Sequence, residues 1–202
     1  MKNIAAAATL ALSLTPALAA GPNLVVNGSF EADPIAGNSW VIRPNITGWT
    51  GAPDIELQNQ LEGNLAQDGQ QLVELDTFAN SAMSQTINAT GWVNLSFWYT
   101  PRIGWGANTH GVQVSLGGFT GTVMDSVAGG SVPNWQRFSA LVDLGSSGSA
   151  VLRFAATGTS DMAGGLIDNV SVTAVPEPST AALSLAGGLV LAAGLRRRRA
   201  GR

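Results

Sequence analysis

Two of the six tryptophans lie beside side chains that could bind a sugar. Trp98 lies between Phe97 and Tyr99 in the sequence. In an extended segment its ring therefore points to the face opposite to theirs. Trp105 lies in the glycine-rich segment 104–108, with Arg102 and Asn108 close by in the sequence. Sugar rings stack on exposed aromatic faces, and nearby polar groups hold their hydroxyls. We therefore predict a glycan site at these four residues; burial of the rings and ordinary loop polarity are the alternatives.

Catalytic groups are sparse. His110 is the only histidine, and no Ser–His–Asp order or metal-ligand spacing surrounds it, so it is expected to be a solvated loop residue. The acid pairs Glu74/Asp76 and Asp54/Glu56 each share a strand face and could flank a glycosidic bond. Exposed acid pairs on an acidic β-domain are usually solvated, and the sequence predicts a non-enzymatic protein. Among the remaining aromatic residues, Trp49 and Trp135 are expected in the core.

Asp168 is a candidate metal ligand. If residues 165–172 form a regular strand, Asp168 shares a face with Leu166, Val170 and Val172. A carboxylate on a core face needs a partner, and calcium accepts carboxylate and carbonyl oxygens. The alternatives are that the strand has the opposite polarity, or that Asp168 caps a turn.

Short β-type runs separated by Gly, Asn, Asp, Ser and Pro must position these groups. One of them alternates clearly, placing Val93, Leu95, Phe97 and Tyr99 on one face. The pattern predicts an all-β sandwich over residues 20–175. The predicted strands are 23–30, 54–57, 71–75, 82–87, 93–99, 112–116, 138–144, 150–155 and 165–173.

Both ends of the chain are typical of export and sorting segments. Residues 1–19 combine Lys2, an apolar run and Ala17-Leu18-Ala19, which predicts a cleaved signal peptide and a mature start near Ala20. Residues 176–202 contain Pro176-Glu177-Pro178, an apolar stretch and Arg196-Arg197-Arg198-Arg199. We predict a single transmembrane helix at 180–195, with the arginines cytoplasmic. An ordinary C-terminal anchor and a buried core helix are the alternatives.

The charge distribution narrows the class of partner. Four arginines stand against all 13 acids between residues 20 and 177, a net charge of about −9. Such a segment cannot neutralise phosphates, so a nucleic-acid partner is disfavoured. Cysteine is absent, which leaves packing or a metal ion to stabilise an exported domain. Cations, neutral glycans and proteins are the partners that fit.

The tail resembles the PEP-CTERM sorting signal, in which a Pro-Glu-Pro motif, an apolar helix and a basic end follow in that order. This resemblance implies export through the inner membrane of a Gram-negative bacterium and a membrane-anchored precursor. It further implies processing by an exosortase-type enzyme near Pro176-Glu177-Pro178, followed by release or attachment at the cell surface. The bacteria that carry such signals make exopolysaccharide.

The central segment resembles carbohydrate-binding modules of the galactose-binding-like jelly-roll type. The similar motifs are residues 23–31 and 167–172, and residues 46–49 and 66–75 look like a plant cell-wall domain family of unassigned function. The resemblance implies a structural calcium ion held by Glu31 and Asp168, with Asp33 and Asp68 nearby but outside the motifs. It favours an extracellular protein that binds exopolysaccharide or biofilm glycans. The alternative is a structural or adhesive surface protein that binds protein and no glycan.

Overall fold

The computed structural model describes residues 21–124 and 126–175. The predicted signal peptide 1–19, the predicted helix 180–195 and the residues of the predicted sorting signal from Pro176 onward lie outside the described residues. In the described part of the chain, no helix has the length and apolarity needed to cross a membrane.

Ten antiparallel strands build the described domain, joined by turns and one short 3-10 turn at Leu61–Gly63. In chain order they are β1 (Ser39–Ile46), β2 (Trp49–Asn59), β3 (Gln71–Glu74), β4 (Ala82–Ile87), β5 (Trp92–Thr100), β6 (Val112–Leu116), β7 (Phe119–Val123), β8 (Gln136–Asp143), β9 (Ala150–Ala156) and β10 (Leu166–Ala174).

Strand β2 connects two layers of sheet. Its residues 50–52 pair with β4, while its residues 56–59 pair with β3. One layer therefore runs β7-β6-β9-β4-β2, and the other runs β2-β3-β10-β5-β8, with β1 on the free edge of β2. The prediction of an all-β, jelly-roll sandwich is confirmed.

Aromatic side chains from both layers meet in the core. The Phe97 ring of β5 meets the Phe154 ring of β9 edge-on, with centroids 5.0 Å apart. Trp49 of β2 lies 6.0 Å from Phe154 and is 2 % exposed, so it is a core residue as expected. Trp135 is only half-buried and donates from Nε1 to the Leu65 carbonyl at 2.9 Å. Each fully buried phenylalanine stabilises the fold by about 1.5–3 kcal/mol.

The predicted strand at 23–30 is wrong, because the chain turns there. Asn27 and Phe30 adopt positive φ angles of 55° and 61°, and the side chain of Asn23 accepts from the Val25 N–H at 3.1 Å. These asparagine contacts compete with strand pairing. Strands β1 and β7 were not predicted. Both lie at sheet edges; the burial of β1 alternates poorly along the strand, and β7 is only five residues long with a glycine at its centre.

A bulge in β10 overturns the prediction that Asp168 shares a face with Val170 and Val172. Asn169 has a φ of 49°, and the register with β5 shifts between Asp168 and Ser171. Ile167, Val170 and Val172 therefore all reach the core. Asp168 lies on the opposite face, buried beneath the segment that contains Gln67 and Asp68. An extra residue at a bulge reverses the parity that a sequence pattern assumes.

Candidate functional site

A row of side chains crosses the outer face of one layer. Ile42 lies opposite Glu56, Glu56 opposite Glu74, Glu74 opposite Leu166, and Leu166 opposite Thr100. Residues directly opposite each other in an antiparallel sheet share a face. The next residues along three of these strands belong to the core; they are Leu57, Val73 and Ile167. The row therefore points away from the core, toward the connecting segments that cover this face.

A cleft of about 170 Å³ opens on this face. Trp40 and Phe78 border it and are 48 % and 73 % exposed, whereas Glu56 and Arg102 are 6 % and 7 % exposed. Exposed aromatic rings thus flank a buried, charged floor. The complete lining is Trp40, Ile42, Glu56, Leu61, Thr77, Phe78, Arg102 and Met162. The cleft is smaller than the ~300–1,000 Å³ pockets that enclose a drug-sized ligand, so it suits one ring or one end of a longer polymer.

Hydrogen bonds hold the two glutamates of the floor together. The Gln58 side-chain amide donates to Glu56 Oε1 at 2.8 Å and to Glu74 Oε2 at 2.7 Å. Arg102 Nη1 donates to the same Glu74 oxygen at 2.7 Å, and the Gly164 N–H donates to Glu74 Oε1 at 2.6 Å. Glu74 is therefore fully engaged beneath the cleft, while Glu56 lines it.

Burial dominates the electrostatics of this pair. Desolvation, followed by repulsion from Glu56, raises the pKa of Glu74 to about 8, against the opposing effect of Arg102. Desolvation also raises the pKa of Glu56, against the hydrogen bond from Gln58. Arg102 is the one basic residue in the described lining of the cleft. It forms ion pairs with Glu74 at 2.7 Å and with Glu62 at 3.3 Å.

The fold does not bring the four residues predicted to bind a glycan together in one site. Arg102 lines the cleft, and the Trp105 ring lies against its guanidinium, 5.8 Å from carbon Cζ to the ring centroid. Trp98 is on the same sheet face but opposite Asp168, outside the cleft lining. Asn108 is exposed in the segment after Trp105, and its carbonyl accepts from the Thr159 N–H at 2.7 Å. Their glycan-binding role remains a prediction.

Two expectations about titratable groups are wrong. His110 is fully buried, with Nδ1 3.4 Å from the Gly164 carbonyl and Nε2 without a partner among the described residues. Glu56, Glu74 and Asp76 are also buried instead of solvated. Connecting segments cover their face, as the contacts of Asp76 show, because its Oδ2 accepts backbone N–H groups of the 161–163 segment.

The two predicted calcium ligands converge on one segment, residues 67–71. Asp168 Oδ2 accepts the N–H groups of Gln67 and Asp68, both at 2.8 Å. Glu31 Oε1 accepts the N–H groups of Gln70 and Gln71, at 2.8 and 2.6 Å. Burial is the main cause that raises the pKa of Asp168, to about 7. The carboxylate oxygens of Glu31 and Asp168 thus accept from backbone N–H groups. In the described ranges no group of three or more His, Asp or Glu side chains is placed to hold a metal ion. Calcium binding at this position remains a prediction.

The sequence pattern indicates only some of the residues of this cleft. The sequence pattern places Glu56 and Glu74 on strands, but pairs each of them with a neighbour in sequence. Neither Trp40 nor Phe78 lies in a local pattern that indicates a role. Their association depends on the pairing of β1 with β2 and of β2 with β3, which no local pattern specifies.

Comparison with known proteins identifies the tail. Residues 174–199 match the model of the PEP-CTERM protein-sorting motif. The chain carries a PEP-CTERM sorting motif. The resemblance of the tail to this signal is thereby confirmed, and the motif begins at Ala174, the last residue of β10. No curated protein matches the sequence.

Solved structures resemble the domain that precedes the sorting motif. A Stig cyclase, Fisc from Fischerella sp. TAU, has a TM-score of 0.57 at 13 % identity, covering 78 % of this chain and 99 % of its own. TmCBM61, solved with β-1,4-galactotriose, has a TM-score of 0.48 at 18 % identity, covering 75 % and 98 %. A family 16 carbohydrate-binding module has a TM-score of 0.48 at 14 % identity, covering 74 % and 99 %. At these identities the likeness concerns the fold alone.

Proposed function

We propose that this chain is an exported, non-enzymatic protein that binds carbohydrate in the cleft beside Glu56 and Arg102. The observation that carries the proposal is the pair of exposed aromatic side chains, Trp40 and Phe78, flanking two buried charged groups. Aromatic rings offer apolar faces to a sugar ring, and the charged groups accept from or donate to its hydroxyls. The openness of the cleft to solvent suits part of a longer polysaccharide.

The sorting motif supports a location outside the cytoplasm. Under this proposal the precursor is held in the membrane by its C-terminal segment and is cut by an exosortase-type enzyme near Pro176-Glu177-Pro178. The processed domain then acts at the cell surface or in the extracellular matrix, where exopolysaccharide is the polymer at hand. The negative charge of the domain favours neutral or cationic glycans over acidic ones.

Acid catalysis is a second candidate, because two carboxyl groups meet at the cleft. Glycoside hydrolysis needs both carboxyls to reach the glycosidic bond from opposite sides. Here Glu56 lines the cleft, but Glu74 is 0 % exposed and its oxygens accept from Gln58, Arg102 and Gly164. One accessible carboxyl favours binding over hydrolysis. Release of new reducing ends from a bound polysaccharide would decide for the enzyme.

The test is binding of the purified protein to a glycan array that includes bacterial exopolysaccharides. We expect saturable binding that falls at least about fivefold in Trp40→Ala and in Phe78→Ala, since a stacked aromatic contributes about 1–3 kcal/mol in comparable ring stacking. Trp92→Ala is the matched control. Trp92 is 50 % exposed and pairs with Asp143 at the first residue of β5, whereas Thr100, the member of the row beneath the cleft, is at the other end of this strand. Trp98→Ala and Trp105→Ala test the site predicted from sequence.

If no glycan binds to the folded protein, the proposal fails and a protein-binding adhesive role is the better account. If Trp98→Ala and Trp105→Ala abolish binding while Trp40→Ala and Phe78→Ala do not, the sugar lies elsewhere on the sheet face.

A further inference from the structure

The Glu56 carboxylate is the charged group of the cleft that lacks an ionic partner. Its Oε1 accepts from the Gln58 amide at 2.8 Å, and none of the described residues donates to its Oε2. It takes part in neither of the two ion pairs of the described domain. The residue is nonetheless 6 % exposed and lines the cleft. A carboxylate held in this way is largely withdrawn from water and open to a ligand on one side.

The neighbouring charges do not supply the missing cation. Arg102 forms its ion pairs with Glu74 and Glu62; toward Glu56 it acts without a direct contact, and burial raises the pKa of that carboxyl more than this arginine lowers it. Among the described residues, the donors to Asp76 are all neutral: the Ser160 hydroxyl and the backbone N–H groups of 161–163. Glu56, Glu62, Glu74 and Asp76 therefore face a single guanidinium. With Glu74 protonated below its pKa of about 8, the other three carboxyls still outnumber this guanidinium, and the floor of the cleft keeps a surplus of negative charge.

We propose that the cleft selects sugars that carry a protonated amine, an inference that rests on the proposed carbohydrate-binding function. An ammonium group placed at the free Oε2 of Glu56 would give this carboxylate a charged hydrogen-bond donor. The faces of Trp40 and Phe78 on the rim of the same cleft attract a cation through their ring electrons. One ligand group would thus satisfy the carboxylate and use both rings.

Other sugar classes fit this floor less well. A uronic acid would bring a second negative charge toward Glu56, and the only basic group in the described lining, Arg102, is already paired. A neutral sugar would bury Glu56 further without a counter-charge, which is costly for an ionised carboxylate. Burial already raises the pKa of Glu56, and a bound ammonium would instead favour its ionised form. The expected order of affinity is amine-bearing, then neutral, then acidic.

The test compares a glucosamine oligomer with the N-acetylglucosamine oligomer of the same length, by calorimetric titration of the purified protein at mildly acidic pH. We expect tighter binding of the glucosamine oligomer, weakened by added salt. Glu56→Gln keeps the size of the side chain and an acceptor for Gln58. It should lower affinity for the glucosamine oligomer at least about tenfold, the effect of one hydrogen bond between charged groups. Affinity for the N-acetylated oligomer should not fall, because the neutral side chain removes the cost of burying a carboxylate beneath an uncharged sugar.

Asp143→Asn is the control for net charge, because Asp143 is exposed at the end of β8 and is absent from the cleft lining. It should change neither affinity. Equal binding of both oligomers would overturn the amine preference and leave carbohydrate binding intact. Loss of both affinities in a folded Glu56→Gln variant would show that Glu56 recognises a hydroxyl instead, and would also overturn it. Binding of neither oligomer, nor of any arrayed glycan, would overturn the proposed function itself.

Discussion

Replacing Arg102 by methionine removes the cation that faces a fully buried carboxylate. Arg102 Nη1 lies 2.7 Å from Glu74 Oε2, and the two residues are 7 % and 0 % exposed. Methionine keeps much of the apolar stem of arginine, so the change acts mainly on charge and hydrogen bonding. Glu74 would retain its bonds from Gln58 and Gly164 but would have no ionic partner. The variant should lose stability wherever Glu74 is ionised.

The magnitude follows from burial. Removing one partner of a buried ion pair typically costs about 3–5 kcal/mol, because the other charge is left uncompensated. The contact with Trp105 adds about 0.5–1 kcal/mol, and the pair with Glu62 adds little, because Glu62 is largely exposed. We expect a loss of about 3.5–6 kcal/mol in the free energy of unfolding at alkaline pH.

The pH dependence of this stability loss tests the argument more sharply than its size does. The pKa of Glu74 is raised from 4.5 to about 8 in the folded protein, so folding takes up a proton between these values. The stability that Glu74 contributes is therefore present at acidic pH and falls as the pH rises toward 8. Without Arg102 this pKa rises further, and the fall continues to higher pH. The difference between the variant and the wild type should therefore be small and constant below about pH 8, and should grow above it, where only the wild-type Glu74 is ionised.

Urea unfolding of the purified protein, followed by tryptophan fluorescence at pH values below and above the Glu74 pKa of about 8, measures the difference. Arg137→Met is the matched control, because Arg137 is exposed and bonds only the Ser96 hydroxyl among the described side chains; it should change stability by less than about 0.5 kcal/mol. Adding Glu74→Gln to the Arg102 variant should flatten the pH dependence. A loss in Arg102→Met that is the same at every pH would refute the argument, because it could not come from the charge of Glu74.

Two further predictions concern the framework. Calcium should raise the melting temperature relative to chelator, and Glu31→Gln or Asp168→Asn should abolish the increase; the same melting temperature with and without chelator would exclude the ion. Gly28→Ala should lower the free energy of unfolding by about 1–3 kcal/mol, because a Cβ atom there would lie 2.1 Å from the Val170 carbonyl oxygen. In the same urea assay Gly118→Ala, where the added Cβ meets nothing within 4 Å, should cost far less, and equal losses would count against the steric reason.

Local patterns in the sequence predicted the class of fold and most of its strands. Alternation over Val93, Leu95 and Phe97 placed all three side chains in the core, and the structure confirms them as 0 % exposed. The sorting motif is likewise readable from the chain, since it depends on the order of a proline motif, an apolar stretch and a basic end. Such features depend on neighbours within a few residues, so tertiary contacts are not needed to recognise them.

The tertiary structure decided which groups share a site. Glu56 and Glu74 become neighbours because β2 pairs with β3 in one register, and a shift of one residue would turn either side chain to the core. Because of the bulge at Asn169, Asp168 lies on the outer face of the sheet. Connecting segments cover this face and bury acids that the sequence pattern predicts to be solvated. Register, bulges and loop cover arise from contacts between distant parts of the chain, so a local pattern with a period of two residues does not contain them.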